Sequence, residues 1–166
     1  VVLKRVDTTT AKIVSESYYR GNNRQSKAVS WSVCKSFVST AIGIASDKGM
    51  LSVLHQVTDY VPQLKDTGYD GVRIKDLLQM SSGVAFDEDY FHPLSDINMM
   101  GYYLAFGWSI DSFVASLQRE RKPGTFNHYV SIDTQVLSMV LQGAFPPIGA
   151  VLGTLFCYLL YQTVEH

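Results

Sequence analysis

The feature that most constrains the fold of this chain is a run of small and apolar residues that begins at Trp31. It carries no charged residue between Lys35 and Asp47. The pattern predicts a helix over residues 32–48 that ends at Gly49, a residue type that favours the left-handed conformation found at helix ends. A helix with so little charge buries most of its surface. The chain is therefore expected to build a folded domain around it.

Two polar side chains at the start of this predicted helix suggest a reaction. Ser32 and Lys35 stand three residues apart, so their side chains share a helix face. A serine hydroxyl is a weak nucleophile until a base takes its proton, and a lysine accepts a proton when its surroundings favour the neutral amine. The backbone N–H of Ser32, at a helix start, can stabilise an oxyanion. Taken alone, this two-residue pattern favours a solvated helix start with Ser32 as the N-cap.

Composition narrows the class of protein. With 166 residues, 46% of them hydrophobic and 17% charged, the chain can form one domain with a real core. Its net charge of −1 and the lack of a basic stripe indicate no nucleic-acid partner. The two cysteines and four histidines lack the spacing of a disulfide framework or a metal site, so no metal or other cofactor is predicted.

Neither the compartment nor the oligomeric state follows from this sequence. The chain begins with Val1 and shows no secretory signal, so we interpret it as an internal piece of a longer protein. Its localisation therefore stays unknown at this stage.

Short elements and turns are predicted along the rest of the chain. Strands are expected over residues 1–6 and 11–20, and helices over residues 72–80, 97–107, 109–120 and 133–141, the last of them amphipathic. The stretch from residue 86 to 96 is acidic and aromatic without a clear period. Its neighbouring acids Asp87, Glu88 and Asp89 lack the spacing of a calcium loop, so a solvated surface loop is predicted.

The C-terminal stretch has no charged residue from 144 to 161 and is nearly continuously apolar from 148 to 161. A membrane-spanning helix needs about 20 apolar residues, so this stretch is borderline, and no basic cluster flanks it. A core helix, a membrane segment and a non-native tail are the three interpretations. Membrane association through residues 148–161 is possible but not favoured.

Six segments, taken together and in this order, resemble the penicillin-binding-protein-like serine hydrolases. This group contains class C β-lactamases, related esterases, DD-peptidases and 6-aminohexanoate-dimer hydrolases, and the segments are most similar to the last type. The resemblance covers roughly residues 11–142. It is carried by residues 18–21 (YYRG), 30–37 (SWSVCKSF), 57–62 (VTDYVP), 68–72 (GYDGV), 76–83 (DLLQMSSG) and 123–131 (PGTFNHYVS).

The resemblance implies a role for each candidate site residue. Ser32 matches the acyl-forming nucleophile and Lys35 its proton acceptor. Tyr129 matches the tyrosine that shares the proton transfer and protonates the leaving group; without the family context, an ordinary half-buried tyrosine is the better interpretation. Ser131 stands where the family often has asparagine and is predicted to bind substrate. A hydroxyl cannot offer the donor and acceptor of an amide together, which favours ester or amide hydrolysis over β-lactam recognition.

The implied fold is α+β and β-lactamase/transpeptidase-like, expected here in truncated form: a helical part with N-terminal strands and most of the antiparallel sheet missing. A third family motif, of the Lys-Thr-Gly or His-x-Gly type, does not occur before His166. We therefore divide the chain into a partial β-lactamase-like serine hydrolase domain, residues 1–143, and an apolar C-terminal tail, residues 144–166, which is atypical for the family.

The implied function is that of a serine hydrolase that works through an acyl-enzyme on the ester, amide or lactam carbonyl of a small molecule. The resemblance implies no metal or organic cofactor. The alternative is an inactive truncated fragment of such a hydrolase, membrane-associated through its apolar tail. The sequence does not identify the substrate.

Overall fold

The computed structural model of the chain describes residues 2–7, 10–27 and 30–145. Only residues 144 and 145 of the predicted 144–166 tail are among the described residues. The apolar stretch 148–161 lies outside them. Among the helices of the described part, none is both long and apolar enough to cross a membrane.

The chain opens with an antiparallel hairpin of β1 (Val2–Arg5) and β2 (Ala11–Ser15). Its turn is held by a hydrogen bond of 2.7 Å from the Thr10 backbone N–H to Asp7 Oδ1. β2 ends five residues before the predicted end at residue 20, because the described part of β1 offers no partner beyond Val2, which lies opposite Ser15. All five residues of β2 are exposed, so the hairpin contributes little to the core.

The predicted first helix forms. A 3₁₀ turn (Trp31–Val33) leads directly into α1 (Cys34–Asp47). Beyond its end, Gly49 has a φ of +70°. The Gly49 N–H donates to the Ser46 carbonyl at 3.0 Å, and the Met50 N–H donates to the Ala45 carbonyl at 2.9 Å. This is the paired hydrogen-bond pattern of a Schellman motif, so the predicted stop at Gly49 is confirmed.

Only one face of α1 is buried, in contrast to the expectation of a largely buried helix. The buried face carries Cys34, Val38, Ile42 and Ala45. Phe37 and Ile44 lie beside this face and are 67% and 54% exposed. The opposite face carries the small or polar residues Ser36, Thr40 and Gly43. The low charge of this helix therefore does not mean that it is buried all round.

Four further helices follow, separated by loops and short 3₁₀ turns: α2 (Ile74–Leu78), α3 (Asp96–Ala105), α4 (Ile110–Ser116) and α5 (Ile132–Ala144). α5 packs against α1 and α2, and every residue from Ile132 to Leu141 is buried. The prediction of an amphipathic helix was therefore wrong for α5. Its polar residues Asp133 and Ser138 are enclosed by neighbouring parts of the fold, and the Ser138 hydroxyl donates to the Thr134 carbonyl at 3.2 Å.

α4 ends four residues before the predicted end at residue 120, because the residues after Ser116 form hydrogen bonds with distant parts of the chain instead of further helical turns. Leu117 is already extended, with a ψ of 141°. Its carbonyl accepts from the Gly68 N–H at 3.2 Å, and the Gln118 carbonyl accepts from the Ala85 N–H at 2.9 Å. These bonds satisfy two carbonyls that would have no partner within a helix that ended at residue 120.

Candidate active site

Ser32 lies in the 3₁₀ turn at the entrance to α1, where its side chain is exposed. The residue before it, Trp31, has a φ of +44°, which is uncommon for a bulky residue. Local backbone strain of this kind clusters at functional sites, where the surrounding structure holds it in place. The turn presents the Ser32 hydroxyl at the surface, where a substrate can approach it.

Two further side chains meet at the Ser32 hydroxyl. Lys35 Nζ donates to Ser32 Oγ at 3.1 Å, as expected for residues one helical turn apart. The Tyr129 hydroxyl, 97 residues further along the chain, donates to the same oxygen at 2.8 Å. Lys35 Nζ also lies 5.2 Å from the centre of the Tyr129 ring, within the range of a cation–π contact. The structure thus brings together the three residues for which catalytic roles were predicted.

This arrangement suits proton transfer at a nucleophile. Ser32 Oγ has an amine and a phenol within hydrogen-bond distance. The neutral amine of Lys35 or the phenolate of Tyr129 can take a proton from the hydroxyl as it attacks, and either group, once protonated, can return one to a leaving group. The partner that keeps its proton stabilises negative charge on the oxygen while the other proton moves. The geometry is that of a nucleophile with two proton-transfer partners, and the role of each residue stays a prediction.

The backbone on both sides of Tyr129 is fixed by the fold. The His128 N–H donates to the Met80 carbonyl at 2.7 Å, and the Asn127 side-chain amide donates to the Gln79 carbonyl, also at 2.7 Å. Val130 is buried in the core. The segment just after α2 therefore supports the backbone that leads to Tyr129.

Ser131, the predicted substrate-binding residue, is buried and bonded to a side chain of the acidic loop. Its backbone N–H donates to Glu88 Oε2 at 2.8 Å, and its hydroxyl donates to Glu88 Oε1 at 2.5 Å. The hydroxyl proton is therefore engaged within the protein in this state, and a substrate contact by Ser131 stays a prediction. Glu88 is not the solvated acid that the sequence suggested, because it is half-buried and accepts these bonds.

A buried carboxyl that the sequence analysis missed lies just inside α5. Asp133 is fully buried, and its Oδ1 accepts a hydrogen bond of 3.1 Å from the Tyr69 hydroxyl. Its Oδ2 has no hydrogen-bond partner among the described residues. Burial raises the pKa of Asp133 to about 7, although the nearby polar groups of Ser82 and Tyr69 favour the ionised form. An acid in the first turn of a helix is common, so its sequence position gave no signal of this burial.

Stability is expected to depend on pH through Asp133. An aspartate in an unfolded chain ionises near pH 4, whereas this carboxyl has a pKa of about 7 when folded. Between these values the unfolded chain binds fewer protons, so the free energy of unfolding falls as pH rises, by at most about 1.4 kcal/mol per pH unit. The side chain of Asp133→Asn stays neutral, so the decrease in the free energy of unfolding with rising pH should disappear. At about pH 8 this variant should therefore be more stable than the natural chain.

Urea unfolding at about pH 5 and about pH 8 measures the effect. The matched control is Asp89→Asn, which removes the same charge from an exposed position. An equal pH dependence in the natural chain and in Asp133→Asn would contradict the assignment of this carboxyl.

Other chemistries have little support in the described part of the chain. No group of three or more His, Cys, Asp or Glu residues there is placed to hold a metal ion. Cys34, two residues after Ser32, is buried, and this burial raises the pKa of its thiol. A buried thiol with a raised pKa is a poor nucleophile, so Cys34 acts as core packing.

The comparison with protein families agrees with the geometry of the site. The family model described as Beta-lactamase matches residues 5–159, which is most of the chain. The chain belongs to the β-lactamase family. The resemblance inferred from the sequence is therefore confirmed, and the family is one of hydrolases.

Two individual proteins are similar to this β-lactamase family member. A 6-aminohexanoate-dimer hydrolase from Paenarthrobacter ureafaciens is 27% identical over 141 residues, which cover 80% of this chain and 35% of that enzyme. A solved structure from Bacillus anthracis, named as a candidate 6-aminohexanoate-dimer hydrolase, superposes with a TM-score of 0.68 at 17% identity. The superposed region covers 82% of this chain and 39% of the Bacillus anthracis protein. The chain thus spans little more than a third of either protein.

The structural match confirms the coarse prediction of the fold. The helices around the candidate site belong to a β-lactamase/transpeptidase-like fold. The few strands of the described part are those of the N-terminal hairpin.

Proposed function

We propose that this β-lactamase family member is a serine hydrolase that acts through an acyl-enzyme. The observation that carries the proposal is the convergence of Lys35 Nζ and the Tyr129 hydroxyl on Ser32 Oγ, at 3.1 and 2.8 Å. Two groups that exchange protons stand at the oxygen of an exposed serine, and the family is one of hydrolases.

The proposed reaction has two halves. Ser32 Oγ attacks a carbonyl carbon while its proton passes to the neutral amine of Lys35 or the phenolate of Tyr129, and a tetrahedral oxyanion forms. The oxyanion collapses, the bond to the leaving group breaks, and the leaving group takes a proton from Tyr129. Water then attacks the acyl-enzyme, gives up a proton to the same pair, and releases the acid as Ser32 recovers its hydrogen.

The proposed substrate is a small molecule with an ester, amide or lactam carbonyl. The exposed position of Ser32 allows such a carbonyl to reach it. The relative from Paenarthrobacter is named for the hydrolysis of a 6-aminohexanoate dimer, which supports the amide among these choices. The Ser131 hydroxyl, which is engaged by Glu88, gives no support to a β-lactam-specific contact.

Tyr129→Phe tests the proposal because it removes one oxygen from the site. The Tyr129 hydroxyl bonds to Ser32, and the side chain is 44% exposed, so the fold should tolerate its loss. Loss of a proton-transfer group slows a reaction by about 10²–10⁴-fold. We therefore expect a fluorophosphonate to label Ser32 of the variant more slowly, by a factor within that range. Intact-mass spectrometry at successive times measures the labelling rate.

Tyr19→Phe is the matched control, since Tyr19 is 76% exposed and lies in the loop after β2. It should label at the rate of the natural chain. Equal labelling rates for Tyr129→Phe and Tyr19→Phe would refute a part for Tyr129 in proton transfer.

A further inference from the structure

The acidic loop between α2 and α3 reaches the candidate site through one side chain. Glu88 accepts three hydrogen bonds: from the Ser131 N–H at 2.8 Å, from the Ser131 hydroxyl at 2.5 Å and from the Tyr90 hydroxyl at 2.8 Å. Its two neighbours in sequence, Asp87 and Asp89, are exposed and accept bonds from backbone groups of the same loop. Of these three acids, only Glu88 therefore connects the loop to the segment that carries Tyr129.

A carboxylate accepts from all three donors around Glu88. Oε1 accepts from the Ser131 and Tyr90 hydroxyls, while Oε2 accepts from the Ser131 N–H. A glutamine has one oxygen, so it can accept from the Ser131 N–H only if both hydroxyls turn to accept from its amide group instead of donating to it. Ser131 is also the N-cap of α5, a helix of 13 residues, where the helix dipole favours a negative charge.

The position of the Tyr129 phenol depends in part on how its backbone is held. Tyr129 is 44% exposed, and Lys35 Nζ lies 5.2 Å from the centre of its ring. Before Tyr129, the backbone is held by the bond from His128 to Met80. After it come buried Val130 and then Ser131, which Glu88 holds. Glu88 therefore holds the C-terminal end of the short segment 128–131, which places the phenol next to Ser32.

We infer that Glu88 is a positioning residue for acyl transfer, which acts by fixing Ser131 and thereby holding the Tyr129 hydroxyl at Ser32 Oγ. This inference rests on the proposed function. It predicts that Glu88→Gln slows the formation of the acyl-enzyme without weakening the binding of substrate, because the alignment it supports matters in the transition state.

The test compares Glu88→Gln with Asp89→Asn, which removes the same charge one residue away. The first should reduce kcat/KM for a p-nitrophenyl ester and the maximal rate of fluorophosphonate labelling by about 10-fold or more, with the half-saturating fluorophosphonate concentration nearly unchanged. The second should match the natural chain. Ser131→Ala, which removes one of the Glu88 bonds and keeps the charge, should show a smaller loss, and the double variant with Glu88→Gln should be no worse than Glu88→Gln alone.

A second readout separates this inference from the proposed function. 3-Fluorotyrosine placed at position 129 gives a ¹⁹F resonance that reports the surroundings of the phenol whether or not the chain turns over substrate. Glu88→Gln should shift or broaden that resonance, and Asp89→Asn should leave it unchanged. If the natural chain labels and Glu88→Gln labels equally fast, or if the resonance is unaffected, the positioning role is overturned. If the natural chain does not label, the proposed function fails and the role in acyl transfer fails with it, and the resonance then decides only whether Glu88 holds the phenol in place.

Discussion

Ser32→Ala should abolish both covalent labelling by a fluorophosphonate and any hydrolysis of a p-nitrophenyl ester. The substitution removes the oxygen at which Lys35 and Tyr129 converge, and no other atom of residue 32 can form the acyl bond. Loss of the nucleophile in a serine hydrolase reduces kcat by as much as about 10⁶-fold. The exposed side chain makes no packing contribution that its loss would remove, so the variant should fold like the natural chain.

The control for this variant is Ser36→Ala, which removes the same atom one turn further along α1. Ser36 is exposed, and its hydroxyl has no place in the site described above. Its labelling rate should equal that of the natural chain. Undiminished labelling of Ser32→Ala would mean that the reactive residue is another one, and the assignment of the nucleophile would then be wrong.

Gly83→Ala should destabilise the fold by about 3 kcal/mol or more, among the larger effects of single substitutions. Gly83 has a φ of +77°, where an alanine costs about 1–2 kcal/mol. A Cβ at this position would also lie 2.2 Å from the Arg121 carbonyl oxygen, closer than any stable contact. The backbone has little room to adjust, because the Gly83 carbonyl accepts from the N–H groups of Glu120 and Arg121, both at 2.9 Å.

Gly71→Ala separates the two causes of this loss. Gly71 has a similar φ of +72°, but a Cβ there meets nothing within 4 Å. It should cost about 1–2 kcal/mol, the conformational part alone. Urea unfolding of the two variants measures the difference between them, which is the free energy of the close contact. If both variants lost the same free energy of unfolding, a Cβ at residue 83 would not clash with the Arg121 carbonyl oxygen, and the close contact would be refuted.

The three residues of the candidate site could be anticipated from the sequence, for two separate reasons. Ser32 and Lys35 are close because helical geometry places residues three apart on one face. Tyr129 could be added only through the family resemblance, since nothing local to residues 123–131 indicates what lies 97 residues away. Their common meeting point at Ser32 Oγ is a property of the folded chain.

Glu88 and Asp133 could not be anticipated, because burial and hydrogen bonding of an acid depend on what packs against it. Glu88 stands among other acids in a stretch without periodicity, and Asp133 stands at a helix start, where an acid is ordinary. In the structure one of them accepts bonds from Ser131, and the other lies against Tyr69 in the core.

The helices show the same division between local and tertiary control. The end of α1 followed from Gly49, whose conformational preference is local. The early end of α4 depends on bonds to Gly68 and Ala85, distant residues that its own sequence does not reveal. The amphipathic pattern expected for α5 assumed a solvent face, whereas this helix is enclosed by the fold.

The central claim is that Ser32 is an activated nucleophile, and peptide mapping of the labelled chain tests it most directly. The natural chain is exposed to a fluorophosphonate, digested and sequenced by mass spectrometry. Labelling reports the reactivity of the hydroxyl itself and does not require turnover. The account predicts one equivalent of adduct, located on Ser32. A folded chain that gains no adduct, or that carries the adduct on a different residue, would contradict it.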